Sequence, residues 1–262
     1  MDPYANEWLQ FLARWLHVVA GIVWIGTSFY FVALDNHLGR PRVEEEGVGG
    51  ESWEIHGGGF YRISKYRVAP KELPEPLHWF KWEAYTTWLS GFGLLVVLYY
   101  LNADTYLIDK SVADIPVAAA IAISLIGLAA AWVVYDLACL VFESDVRIGL
   151  LLLGMVAASA YGAGEVFSGR AAYLQVGAML GTIMAANVLF NIIPAHWGLI
   201  RAKEAGREPD AAPGLEAKRR SVHNNYLTLP VVFTMISNHF SFTYEHEHAW
   251  LVLVALVAIG AW

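Results

Sequence analysis

Residues 115–140, IPVAAAIAISLIGLAAAWVVYDLACL, decide what kind of molecule this is. A helix needs about 20 mostly apolar residues to cross roughly 30 Å of hydrocarbon. This stretch exceeds that length and carries one charge, Asp136. Comparable stretches lie on both sides, at 8–34, 78–101, 147–163, 171–197, 225–243 and 249–262. The expected fold is an all-α integral membrane protein, a polytopic bundle with about seven transmembrane helices. The last stretch stops at Trp262, too short to cross, so an eighth span is expected in a complete chain.

Composition agrees. The 262 residues are 57% hydrophobic and 16% charged, with a mean hydropathy of +0.44. Soluble domains run near 45–50% apolar and about 25% charged. The 11 Trp suit two interfacial belts. A net charge of −7 argues against a nucleic-acid partner. Cys139 is the single cysteine, which excludes an internal disulfide and thiolate-built zinc or iron–sulfur sites. No C-x-x-C-H motif occurs, so any haem would be held non-covalently. The start, MDPYANEWLQ, lacks the basic opening of a cleavable signal peptide, and 8–34 reads as a retained first helix.

Lysine and arginine set the expected orientation. With alternating spans, 35–77, 141–148 and 198–222 share one side with the edge at Lys81, and that side holds fourteen of the 17 basic residues. Arg14, Lys110 and Arg170 lie on the other. The basic side is therefore expected in the cytoplasm and the N-terminus in the periplasm of a bacterial inner membrane. Within 35–77 a small hairpin is predicted, turning on Gly57–Gly59, while 198–222 reads as a solvated loop.

Ionisable side chains inside spans are costly and tend to be functional. His17, in RWLHVVAGIVWIG, lies nine residues past Trp8, roughly 13 Å deep at 1.5 Å per residue. It is either a haem ligand or a structural imidazole bonded to a neighbouring helix. His239, in TMISNHFSF, approaches the same depth on an antiparallel helix, and the two together would grip a haem iron. His246 and His248, at i and i+2, are solvated at the rim or touch a metal or haem.

The basic edge carries a second cluster. His78, Lys81 and Glu83 open the second span, with His78 and Lys81 on one helical face. His223, Asn224 and Asn225 open the sixth, and His196 closes the fifth. Such residues are caps and snorkelling anchors, or else they line a pocket for a flat, polar, anionic heterocycle. Asp136 and Glu143 flank the third span, serving a proton path or an ion pair with Arg147.

Five segments carry a family resemblance: RWLHVVAGIVWIGTSFYFVALDN, HGGGFY, LHWFKWEAYTTWLSGF, YLID and KRRSVHNNYLTLPVVFTMISNH. Together they resemble the N-terminal membrane domain of the bacterial membrane-bound urate hydroxylase, the PuuD-type urate oxidase, from Trp8 to about His239. The first-helix pattern also resembles membrane haem proteins of the protoporphyrinogen oxidase type, where a histidine at the place of His17 is expected to bind haem b. The resemblance implies oxidation of urate to 5-hydroxyisourate in purine breakdown, with electrons passing through a membrane haem to a cytochrome c domain. No such domain follows Trp262 in this sequence. The cytochrome c haem is expected either on a C-terminal domain missing from a truncated chain or on a separate partner, a cytochrome c or another respiratory-chain component.

On that reading Lys81, Arg219 and Arg220 would concentrate the urate anion. Glu83, His78 or His223 would serve as the base, and Asn224 and Asn225 would bond the purine edges, with His56 near the substrate. Two other classes compete. A b-type cytochrome subunit would relay electrons or anchor a partner without a substrate site of its own. A transporter is disfavoured by the lack of an inverted repeat or paired broken helices.

Overall fold

The computed structural model describes residues 2–262. Helix α1 (Pro3–His37) is followed by strands β1 (Val48–His56) and β2 (Gly59–Tyr66). Helix α2 (Trp82–Leu95) runs into a wider π turn, Val96–Tyr100, and short α3 (Ala103–Tyr106) follows. Then come α4 (Val117–Val141), α5 (Asp145–Gly164) and α6 (Gly169–Ala186), the last continuing through a π turn, Asn187–Ile192, into α7 (Ile193–Glu204). The chain ends with α8 (Ala212–Ile236), a tight turn Ser237–His239, short α9 (Ser241–Tyr244) and α10 (Ala249–Ala261).

The protein is an all-α membrane bundle with one small hairpin. Helices α1, α4, α5 and the α6–α7 run are each long and apolar enough to cross a bilayer, and α10 is apolar but shorter. Apolar side chains cover the outside of these helices: Ile126 in α4 and Leu150 in α5 are both exposed. That inverts the soluble pattern and suits contact with acyl chains.

Helix α6 is the axis of the bundle. Half of its most apolar window is buried, against 11% for α1, and α2, α4, α5 and α8 all pack on it. Small residues allow that approach. A Cβ on Gly177 would stand 2.0 Å from Thr234 Oγ1 of α8, so the two backbones meet where the side chain is absent. Helix α10 fills the groove between α5 and α8. A Cβ on Gly260 would come within 3.2 Å of the Pro230 ring. Helix α1 lies at the edge and packs chiefly on α2.

Pro194 and Pro230 both sit inside long helical runs. A helical proline removes a backbone N–H and crowds the carbonyl four residues earlier. Upstream of Pro194, which opens α7, the helix widens into the π turn Asn187–Ile192, which absorbs that conflict.

The hairpin forms as predicted and turns at Gly57 and Gly58, both with positive φ (57° and 82°) that L side chains rarely adopt. Two expectations about the basic edge are corrected. Residues 198–222 are not a loop: α7 runs on to Glu204, α8 starts at Ala212, and only 205–211 connect them. The second span begins at Trp82 rather than 78, so His78 and Lys81 do not share a helical face. Residues 77–81 are held out of the helix by contacts between Trp79, Lys81 and Trp197.

Candidate functional site at the basic end of the bundle

The π turn matters because of what it aims inward. Asn187 is fully buried, and its amide N–H groups donate to Tyr135 Oη and Asn224 Oδ1, both at 3.0 Å. Asn224 in turn donates to the Met184 carbonyl at 3.0 Å. Tyr135 Oη lies 2.8 Å from His223 Nδ1, and His223 Nε2 lies 3.2 Å from Asp145 Oδ1. A carboxylate only accepts, so Nε2 carries the proton and Nδ1 accepts from the phenol. Asn187, Tyr135 and His223 thus donate one to the next and finally to Asp145, from the π turn after α6 to the start of α5.

Two arginines clamp this chain from α8. Arg220 is 1% exposed, with Nε donating to Glu216 Oε1 at 2.8 Å and Nη1 to Asp136 Oδ1 at 2.9 Å and Asn187 Oδ1 at 3.3 Å. Its guanidinium also lies over the Tyr135 ring. Arg219 donates to Asp145 Oδ1 at 2.6 Å and to the Phe142 carbonyl at 2.7 Å. A buried charge is tolerable when paired and hydrogen-bonded in this way. Asn191, one helical turn after Asn187, also donates to Asp136 at 3.3 Å. The alternative pairing of Asp136 with Arg147 is not what forms, since Arg220 occupies that carboxylate.

A second group gathers at the same end, between the start of α2 and α7. Lys81 Nζ lies 4.9 Å from the Trp79 ring and 5.9 Å from those of Trp82 and Trp197. Trp79 stacks on Trp197 at 4.7 Å, with His196 edge-on to Trp79. Glu83 follows in the first turn of α2, and its Oε2 is buried without a hydrogen-bond partner among the described residues. A buried acceptor in that state is costly and calls for a partner such as a ligand or water.

The remaining sequence candidates are placed less centrally. Asn225 is half-buried, His78 is exposed against Phe80, and His56 ends β1 exposed beside the hairpin turn. His17 turns toward α2, with Nδ1 3.1 Å from the Thr87 carbonyl and 3.2 Å from Ser90 Oγ. Its ring fills the space that a side chain on Gly91 would need, since a Cβ there would stand 2.7 Å from Cε1. His239 is exposed in the turn after α8, and among the described residues its ring has no hydrogen-bond partner. His246 and His248 are exposed as well. An open cleft of about 660 Å³ between the end of α1 and β1 mixes Arg40 and Arg42 with Glu51 and Glu54, which suits an anion poorly.

Tyr135, Asp145, Asn187 and Asn191 were not singled out by sequence. The signal for the two asparagines was present, as amides one turn apart in the apolar run AANVLFNIIP. Arg219 and Arg220, read as part of a solvated basic run that would concentrate an anion with Lys81, are both turned inward to carboxylates.

These features define a polytopic helical membrane protein with a buried, charge-compensated polar network opening at its basic end. The family model described as urate oxidase N-terminal matches residues 3–262, and the chain belongs to that family. No curated protein and no solved structure matches it.

Proposed function

We propose that the chain oxidises urate to 5-hydroxyisourate at the basic end of the bundle and passes the electrons to a cytochrome c. Family membership supports a urate-related oxidoreductase. The observation that supports this end is a cation held among indole rings, Lys81, two residues before a carboxylate, Glu83, whose buried Oε2 lacks a hydrogen-bond partner. Urate is a flat anion. The indoles of Trp79, Trp82 and Trp197 offer faces for stacking, and Lys81 offers the charge.

Adding an oxygen from water at C5 of the purine releases two electrons and two protons. Glu83 Oε2 is the group free to take the first proton. The donor chain from Asn187 through Tyr135 to Asp145 holds one proton-carrying imidazole, His223, in a fixed tautomer. Asn224 is engaged within that chain and acts as its bracket, which leaves Asn225 as the freer amide for a purine edge. The basic residues gathered at this end support its placement on the cytoplasmic side, in a bacterial inner membrane on this reading.

The family resemblance also implies a haem, and His17 fits one. Its Nδ1 is fixed by the Thr87 carbonyl, which leaves the Nε2 lone pair as the ligating atom in the arrangement usual for metal-bound histidine. The ring of His239 has no such support. Bound at His17, haem b would supply a one-electron carrier. Loss of haem absorbance in purified His17→Ala is the expected result, and unchanged haem content would remove His17 as a ligand.

Turnover is tested by following the loss of urate absorbance with an added cytochrome c or artificial acceptor. Glu83→Gln is expected to lower kcat by about 10²–10⁴-fold, and Lys81→Met to raise KM. Full activity in Glu83→Gln would overturn the assignment. A protein that shows a haem spectrum but no reduction on anaerobic addition of urate would be an electron-relay subunit instead.

A further inference from the structure

Contacts between α1 and the hairpin fix the direction in which the hairpin points. Gly39, just past α1, exchanges backbone hydrogen bonds with Glu51 at 2.9 and 3.0 Å. Lys65, opposite Gly50 in the ladder, reaches back to Asp35 at 2.5 Å. Glu54, further along β1, accepts from Tyr30 Oη at 2.8 Å. As β1 advances, its partners recede from Gly39 to Tyr30, so β1 runs antiparallel to α1. The hairpin therefore folds back along the helix, and its turn points toward the bilayer that α1 enters. Tyr30 belongs to the run Phe29, Tyr30 and Phe31, all exposed, which lies about 7.5 Å below Asp35 at 1.5 Å per residue. Aromatics gathered beside the first charge mark the headgroup level of a spanning helix. Glu54 stands at that level, and the tip reaches past it.

The tip, Ile55 to Phe60, holds no acid, lysine or arginine. Ile55 and Phe60 are cross-strand partners and are 73% and 76% exposed. They lie on the face turned away from α1, because the other face carries Glu54, bonded to Tyr30, and Gly50, close against Leu38. The next pair on their face, roughly 7 Å from the tip, is Trp53 and Arg62, with the Arg42 guanidinium over the Trp53 ring at 5.5 Å. From the tip upward this face passes from aliphatic and phenyl groups to indole to guanidinium. A bilayer offers matching surroundings in that order, from acyl chain through interface to phosphate.

We propose that the hairpin tip is a membrane anchor, with Ile55 and Phe60 seated at the acyl boundary of the leaflet and Trp53 and Arg62 among the headgroups. The occupant of this face is lipid because the face continues the lipid-facing surface of α1 at Phe29 and Phe31 and its turn points the same way. The inference holds whichever side of the membrane the basic end faces, and it stands apart from urate oxidation.

The test uses the full chain, one copy per phosphatidylcholine nanodisc, with a nitroxide attached at His56→Cys, which leaves Ile55 and Phe60 in place. Cys139 is buried, and labelled wild type serves as the blank. Power saturation reads collisions with oxygen, which concentrates in lipid, and with a nickel chelate, which stays in water. The tip label is expected to favour oxygen. A label at Glu44→Cys, in the exposed loop before the hairpin, is expected to favour nickel. Ile55→Glu and Phe60→Glu replace exposed side chains on different strands, so each should keep the thermal midpoint. Each should also lift the tip into water and make its label several-fold more open to nickel. A wild-type tip as open to nickel as Glu44→Cys overturns the inference, since the hairpin then stands in water. Shielding from both reagents overturns it as well, because protein then covers the tip. So does shielding from nickel that persists in both glutamate variants. None of these outcomes depends on whether the basic end oxidises urate.

Discussion

At the scale of single residues, Arg220 is the clearest case of a side chain whose surroundings contradict its sequence context. KRRS reads as a solvated basic run, yet Arg220 is buried and shared among Glu216, Asp136 and Asn187. Removing one partner of a buried pair costs about 3–5 kcal/mol. Because Asp136 and Glu216 keep some contact with solvent, Arg220→Ala is expected near the lower bound. A lowered thermal midpoint in detergent, partly restored by adding Asp136→Leu, would show it. Glu51 in β1 responds to pH. Removal from water opposes its charge, but donors from Trp53 at 2.6 Å and Arg62 at 2.8 Å outweigh that and hold its carboxyl below the ordinary 4.5. The unfolded chain then binds the proton more readily, so this stabilisation is complete above pH 4.5 and fades as pH falls through the folded value. Protection factors for amide exchange across the hairpin, taken relative to the intrinsic rate at each pH, should fall on acidification below that point, and Glu51→Gln should remove the dependence. Sequence named His223 and Asn224 because they stand at a span edge. It could not show that Asn224 is a bracket, since that depends on Asn187 arriving from another helix.

At the scale of elements, length and apolarity made the helices legible, and the hairpin was legible from its glycines. The α7–α8 connection was not. Its charges suggested a loop because hydropathy reports only what a residue prefers alone, and a basic face closed by carboxylates on α4, α5 and α8 itself has no such signature. The start of α2 was misplaced for a related reason: a segment pinned by stacked indoles cannot be told from the first turn of a helix by periodicity. Packing of α6 on α8 rests on Gly177. Gly177→Ala would force its methyl into Thr234, and overpacking of this kind costs about 1–3 kcal/mol. That loss should exceed the gain of roughly 1 kcal/mol in helix propensity, giving a lower thermal midpoint. Gly181→Ala on the same helix meets open space and should not.

At the scale of the whole molecule, three parts of the chain meet at Asp35. Near the end of α1 it accepts from Lys65 of β2 and Lys218 of α8, tying the hairpin to the bundle. Partly exposed ion pairs contribute about 0–1 kcal/mol each, so Asp35→Asn should leave the global thermal midpoint nearly unchanged. It should still free the hairpin, seen as faster proteolytic cutting between 38 and 47, and high salt should mimic it in the wild type. The edge position of α1 has a consequence for biosynthesis. Because α1 leans almost wholly on α2, the first pair to leave the ribosome already has its mutual partner and can settle in the bilayer at once. Helix α4 has no such luck: its principal neighbour is α6, two spans later in translation, so it must wait beside the translocon, and insertion should pause in a half-assembled state until that axis is threaded through.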